Sequence, residues 1–321
     1  MNDALNLEIS QRLNSAHSIV IASHIRPDGD AIGSLLGIGL ALKQEGKSIQ
    51  MILADGVPGS FRHLPGSDLI SKKINGDFDM AIVVDCSDLE RVGGSLNGLS
   101  KPDLVVDHHV TNQAFGKINI IEPEAVSTAS ILAENLPRWG LHITPDVAKA
   151  LLTGLVSDTL GFRTSNITPE AMRLAATLME SGADLPDLYQ RALVSHSFEA
   201  LRYWGQGLEH LTREESLVWT YLSLEDREKA SYYGNDDADL VNILSAIEEI
   251  KIAVIFIEQK GERVKISWRS QPGVDVSQIA VEFGGGGHPA ASGAEIDGSL
   301  HEVQASVLRA TRKLVGINTD R

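Results

Sequence analysis

The stretch "SIVIASHIRPDGDAIGSLLGIGLAL", Ser18–Leu42, sets a polar knot between two apolar runs: His24, Asp28 and Asp30 stand where Ile19-Val20-Ile21 ends and a glycine-rich helical pattern begins. A β-rich run followed at once by a helix is the repeating unit of a parallel α/β sheet. The same rhythm returns in "SIQMILAD" (48–55), "DMAIVVD" (79–85) and "DLVVDHH" (103–109). These runs are nearly continuous Val, Ile and Leu, as strands covered on both faces require. The sequence therefore predicts the α/β class, with a parallel-sheet domain carrying helices on both faces. Thr144-Pro145 and Thr168-Pro169 announce further helices, each a cap residue followed by proline at the first helical position. Gly33, Gly37 and Gly39 lack the Gly-x-Gly placement of a dinucleotide fingerprint and read as close helix–sheet packing.

Beyond about residue 212 the pattern changes to strand-like "SLVWTYLSL", a helix in "DADLVNILSAIEEI", strands "KIAVIFIE" and "RVKISWRS", and a glycine-rich loop. The reading is three-part: a first domain at 1–186, a helical amphipathic linker at 187–212, and a smaller mixed α/β domain at 213–321, with the active site in the interdomain cleft. A length of 321 residues suits two domains. The formal charge of −15 excludes a broad basic surface for long or duplex nucleic acid, and leaves open a small anionic substrate held by local cations. One cysteine rules out an internal disulfide framework, and with no leader or apolar span of about 20 residues the expectation is a soluble, cytoplasmic protein. Oligomeric state is left open, a homodimer included.

In a parallel sheet ligands gather beyond the carboxyl ends of the strands. Three of the predicted strands end in ionisable residues, which brings His24, Asp28, Asp30, Asp85, Asp107, His108 and His109 to one edge. Asp158 belongs with them, because an acid at the carboxyl end of the apolar helix in "LLTGLVSDTLGF" opposes the helix dipole unless a cation is near. A single aspartate after a β-run is ordinary turn or cap chemistry; an Asp-His-His run at a strand end has no such structural need. So many acids and imidazoles at close quarters repel or protonate unless a divalent metal sits among them. The mixed oxygen and nitrogen donors point away from structural zinc and from calcium, and suit Mn²⁺, with Mg²⁺, Co²⁺ or Fe²⁺ as competitors. Two ions sharing a carboxylate, roughly 3.5 to 4 Å apart, suit in-line hydrolysis of a phosphoester.

"HIRPDGDAIGS", "VVDCSD", "VDHHV" and "GLVSDTLGF" stand in the order and spacing of the four motifs of the DHH phosphoesterase family, which the sequence resembles over nearly its whole length. The second half, through "WRS" and "GGGGH", is similar to the DHH-associated domain of the subfamily holding the bacterial nanoRNases and phosphoadenosine-phosphate phosphatases. The resemblance implies His24, Asp28, Asp30, Asp85, His108 and Asp158 as ligands of two Mn²⁺, Asp85 bridging. It implies that His109 meets the scissile phosphate while Asp107 orients its neighbours. It also implies that Arg269, Gly285, Gly286, Gly287 and His288 grip a terminal phosphate.

The expected activity is hydrolysis of short oligoribonucleotides to mononucleotides, together with removal of the 3′-phosphate from adenosine 3′,5′-bisphosphate. The alternatives are a cyclic or linear di-AMP phosphodiesterase, an inorganic pyrophosphatase, and a non-catalytic nucleic-acid-binding module. The last two sit poorly with "GGGGH" and with six filled ligand positions. Cys86 reads as a small buried hydrophobe, Trp268 as core, and Arg163 as either a phosphate contact or a surface ion pair.

Overall fold

The computed structural model describes residues 3–94, 96 and 101–317. Helix α1 (Asp3–Ser15) leads into strand β1 (Ser18–Ala22), and helix α2 (Gly29–Gln44) follows the polar knot. Asp28 caps α2: its carboxylate accepts from the Asp30 and Ala31 N–H groups at 3.0 and 3.1 Å, two donors that a first helical turn leaves without partners. Strands β2 (Ser48–Ile52), β3 (Ile70–Ser71), β4 (Met80–Val84), β5 (Leu104–Asp107) and β6 (Ile118–Ile121) complete a six-stranded sheet of order β3-β2-β1-β4-β5-β6, parallel throughout. The chain builds outward from β1 in one direction and from β4 in the other. The carboxyl ends of β1 and β4 thus flank the point where strand order reverses, the crevice in which such sheets bind ligands.

Helices α3 (Thr128–Asn135), α4 (Pro145–Asp158), α5 (Pro169–Glu180) and α6 (Leu185–Tyr189), the last running into a π-helical turn at Gln190–Val194, follow the sheet. Alternate residues of β1 divide between two cores. Ile19 and Ile21 join the α1, α2, α3 and α4 side chains, while Val20 and Ala22 join a second cluster with Ile52, Val83, Val92, Leu96 and Val105. Among the described residues this second face is covered by Ile74, Phe78, Leu89 and Phe115, together with Val92 of the 3₁₀ helix Glu90–Val92. A strand reads as continuously apolar whether a helix or a loop aromatic covers it.

The glycines of α2 serve mainly a helix–helix crossing rather than the helix–sheet contact expected. A Cβ on Gly33 would meet Ala150 O at 2.5 Å and Gly154 N at 2.7 Å, both backbone atoms of α4. One on Gly37 would meet Leu151 Cδ2 at 2.4 Å, and only Gly39 faces the sheet, at Met51.

The chain divides into two compact units, Met1–Ser195 and His196–Arg321, the break falling inside the 187–212 stretch. The second unit contains α7 (Phe198–Glu209), β7 (Thr212–Glu214), β8 (Leu217–Leu222), α8 (Leu224–Ala230), α9 (Leu240–Leu244), β9 (Ile252–Gln259), β10 (Arg263–Ser270), α10 (Ser277–Glu282), β11 (Gly286–His288), β12 (Ala291–Asp297) and α11 (Leu300–Leu314). Its sheet runs β11-β12-β10-β9-β8-β7, mixed because β8 and β9 are parallel and the other pairs antiparallel. One face packs α10 and α11, the other α7, α8 and α9. The helix read across 237–250 is confined to α9, and the glycine-rich loop is in part an edge strand, β11. Among the described residues no helix is long and apolar enough to cross a membrane.

Candidate metal centre

Asp85 is the first residue past β4, and its amide still donates to Val106 O of β5 at 2.9 Å. Its backbone is left-handed, φ +51°, an unfavourable state for a residue bearing a Cβ and one that tends to occur at functional sites. The carboxylate, 1% exposed, faces two ways. Oδ2 lies 3.5 Å from His24 Nε2; Oδ1 lies 3.8 Å from His108 Nε2 and 3.7 Å from His109 Nδ1. Asp28 Oδ1 is 3.9 Å from His24 Nε2, Asp30 Oδ2 is 3.8 Å from His108 Nε2, and Asp158 Oδ2 is 3.5 Å from that same nitrogen. Five of the six residues read as ligands from the sequence thus fall in two donor groups that share Asp85: His24, Asp28 and Asp85, and Asp30, Asp85 and His108, with the sixth, Asp158, beside His108. Within each group the donor atoms lie within 4.8 Å of one another.

These gaps are too long for hydrogen bonds. They suit donors that share an ion, since two ligands each about 2.1 Å from one metal lie about 3 to 4 Å apart. The imidazoles are prepared for that role. His24 Nδ1–H donates to Ile25 O at 2.8 Å and His108 Nδ1–H to Ala125 O at 3.2 Å; a carbonyl can only accept, so in each ring the bare Nε2 is turned toward the acids. This is how metal-bound histidines are commonly oriented.

Electrostatics agree. Burial, then the charges of Asp85, Asp158 and Asp28, push the Asp30 carboxyl well above the ordinary range, and burial lifts Asp158 to about 6. Asp85 goes the other way: burial favours its neutral form, yet the His24 ring 3.5 Å away and the charges of His109 and His108 outweigh it. His24 is raised despite burial, by Asp85 and Asp28. The cluster draws in positive charge, and a divalent cation can replace the protons it would otherwise take up.

Several positioning groups carry no signal in the sequence reading. Ser127 caps α3, and the helix's first amides, Thr128 N–H at 2.6 Å and Ala129 N–H at 2.9 Å, each donate to one oxygen of Asp30. The buried Thr128 hydroxyl donates to Asp85 Oδ1 at 2.9 Å. Thr128→Val, which keeps shape and removes the donor, should weaken Mn²⁺ binding by about 10- to 100-fold in a calorimetric titration, while Thr128→Ser keeps wild-type affinity. The Ser-Thr pair that opens this helix in the sequence (Ser127, Thr128) reads as simple capping and gives no hint of the contacts to Asp30 and Asp85.

Asp107 is fully buried and neighbours Asp85 and His109, but its oxygens are occupied. Oδ1 accepts from His108 N–H at 2.9 Å and from His109 Nδ1–H at 2.7 Å, Oδ2 from Asn112 Nδ2 at 2.6 Å. Although burial acts against the charged ring, the Asp107 hydrogen bond and the Asp85 charge raise His109 to about 9. Cys86 is buried in the second core cluster, its thiol donating to Asp88 O and pushed up to about 12 by burial, so it is not a thiolate nucleophile.

In the second unit Arg269 and His288 both stand in register with Ala291, on the strands that flank β12. Asn242 Oδ1 accepts from Arg269 Nε at 3.0 Å, and Trp268 O accepts from its Nη1 at 3.0 Å. Trp268 points the other way into the core, its indole N–H on Thr311. Two of the glycines are demanded by strand approach: a Cβ on Gly285 would run into Gly293 O, and one on Gly287, at φ +139°, into Ala291 O.

Residues 18–155 match the DHH family, N-terminal domain, and residues 227–315 match the DHHA1 domain. A Thermus thermophilus protein named bifunctional oligoribonuclease and PAP phosphatase NrnA is 34% identical over 301 residues, covering 92% of this chain and 89% of its own. The solved structure of an exopolyphosphatase-related protein from Bacteroides fragilis is similar with a TM-score of 0.88 and 27% identity, covering 98% of each chain. RecJ from Thermus thermophilus, solved in complex with Mn²⁺, shares the fold at a TM-score of 0.52 and 15% identity, over 98% of this chain and 54% of its own. With both domains matched in order and a relative aligned along nearly its whole length, this protein belongs to the DHH family.

Proposed function

We propose that the protein is a metal-dependent phosphoesterase that hydrolyses short oligoribonucleotides to mononucleotides and removes the 3′-phosphate of adenosine 3′,5′-bisphosphate. The observation that carries the reading is Asp85, with one carboxylate oxygen turned to the His24 group and the other to the His108 group. His24, Asp28 and Asp85 would hold one Mn²⁺, and Asp30, Asp85, His108 and Asp158 a second. Such a pair supplies Lewis-acid neutralisation of phosphoryl charge and a nucleophile at neutral pH.

The chain's own groups do the rest. Asp107 fixes the Nδ1–H of His109, so the Nε2 side of the protonated ring faces away from Asp107 and can donate to a phosphate oxygen as charge builds there. Asn112 and the His108 amide hold Asp107 in place. In the second unit Arg269, oriented by Asn242, and His288 are assigned to phosphates of the same class of substrate, next to the backbone of Gly285, Gly286 and Gly287. The net charge of −15 fits a substrate too short to need an extended basic track. The relative named as an oligoribonuclease and PAP phosphatase supports the choice of substrates.

The test is a panel with purified protein and Mn²⁺. pApA and adenosine 3′,5′-bisphosphate should be turned over, pyrophosphate and a long single strand hardly at all, and chelator should stop the reaction until Mn²⁺ is restored. Activity surviving chelation, or turnover of pyrophosphate alone, refutes the assignment.

A further inference from the structure

We propose that Arg91 contacts the substrate phosphate at the metal centre, a role that rests on the phosphoesterase reading above. Arg91 lies in the 3₁₀ turn Glu90–Val92, six residues past Asp85, and its main chain is tied on both sides. Its N–H donates to Asp88 Oδ1 at 2.9 Å, and its carbonyl accepts from Ile25 N–H at 2.7 Å, the residue next to His24. Gly93 presses the turn onto the β1 side so closely that a Cβ there would meet Ile25 Cγ2 at 2.3 Å. The segment after β4 is thereby clamped to the segment after β1, at the rim where Asp85 and His24 meet.

The side chain on this clamp is half-buried, and among the described residues it makes no ion pair and no side-chain hydrogen bond. That is unusual beside a pocket of aspartates, in a chain with 43 acidic and 28 basic residues. The main-chain bond to Ile25 sets Arg91 one residue from His24, the ring that faces Asp85 at 3.5 Å. A guanidinium beside this pocket, with no carboxylate taking its donors, is suited to an anion that arrives from outside. Its planar fork matches two oxygens of a phosphate.

The test compares Arg91→Met and Arg91→Lys with wild type in three measurements: kcat/KM on pApA, binding of inorganic phosphate to the Mn²⁺-loaded protein, and Mn²⁺ affinity. Arg91→Met should lose about 10²-fold in kcat/KM, the usual effect of removing one donor to a developing charge, with Arg91→Lys in between. Phosphate binding should weaken by about 10-fold, whereas Mn²⁺ affinity should hold or rise, because a like charge has been taken away. A turn that merely supports His24 would show the opposite: metal affinity falling along with activity. That result, or wild-type phosphate binding by Arg91→Met, overturns the proposal. If wild-type protein turns over neither pApA nor the bisphosphate, the phosphoesterase reading fails, and the phosphate titration still decides Arg91.

Discussion

Asp85→Asn is expected to cut kcat/KM on pApA by at least about 10³-fold, the scale seen when a residue on which a catalytic unit depends is removed. The geometry makes this the most damaging single substitution in the first unit. Each oxygen of Asp85 belongs to a different donor group, so no other residue can be lost from both at once. Asparagine keeps the volume and can still accept from Thr128, so the metal-free fold should keep its Tm to within a few degrees. Its amide nitrogen, however, cannot ligate as a carboxylate does, and it brings no negative charge to His24 and His108. Calorimetric titration should therefore show Mn²⁺ binding severely weakened, not merely one of two sites lost. Asp28→Asn, by contrast, affects only the His24 group, and from a side chain 61% exposed, so its loss should be smaller. Retention of a tenth or more of wild-type activity by Asp85→Asn would falsify the shared-carboxylate arrangement.

The candidate ligands were legible in the sequence for a physical reason. Strand runs of three to five apolar residues end abruptly, and whatever follows them must emerge at one edge of a parallel sheet, so His24, Asp85 and the Asp107–His109 run could be placed together before any distance was known. What holds them was not legible. Thr128 and Ala129 reach Asp30 across 98 and 99 residues of sequence, and Thr128 reaches Asp85 across 43; no local pattern records such partners. Asn112 lies in a turn whose composition suggests only a turn, yet it holds both Cys86 O and Asp107. The glycines of α2 were recognised as packing residues but matched to the wrong neighbour, because helix spacing gives a face without saying whether a sheet or a second helix meets it. In the second unit, four consecutive glycines read as a loop because strand propensity is low for glycine. Pairing of β11 with β12 overrides that preference, and only a residue without a Cβ can approach so closely.

Gly154 joins the packing to the chemistry, and Gly154→Ala should reveal it. Gly154 sits on α4, one turn before Asp158, where α4 crosses α2 and α3. A Cβ added there would lie 2.6 Å from Ala129 Cβ and 2.8 Å from Asp30 Oδ1, both closer than non-bonded atoms approach. Neither neighbour can swing aside. Ala129 has no side-chain torsion to use, and the Asp30 carboxylate is held by two amides of α3. The added methyl must therefore part the helices or displace Asp30, and either movement pulls Asp30 and Asp158 away from His108. Overpacking of this kind typically costs about 1 to 3 kcal/mol, or roughly 2 to 12 °C in Tm for a unit of this size. A fall in Mn²⁺ affinity of 10²-fold or more should accompany it. Gly37→Ala provides the comparison: its Cβ meets only the Leu151 side chain, which can turn, and it lies two helical turns from Asp30. That variant should lose stability and keep metal affinity. If both substitutions lower Tm and neither changes Mn²⁺ binding, the absence of a side chain at Gly154 serves the helix crossing alone, and Asp30 owes its position to the α3 amides without help from α4.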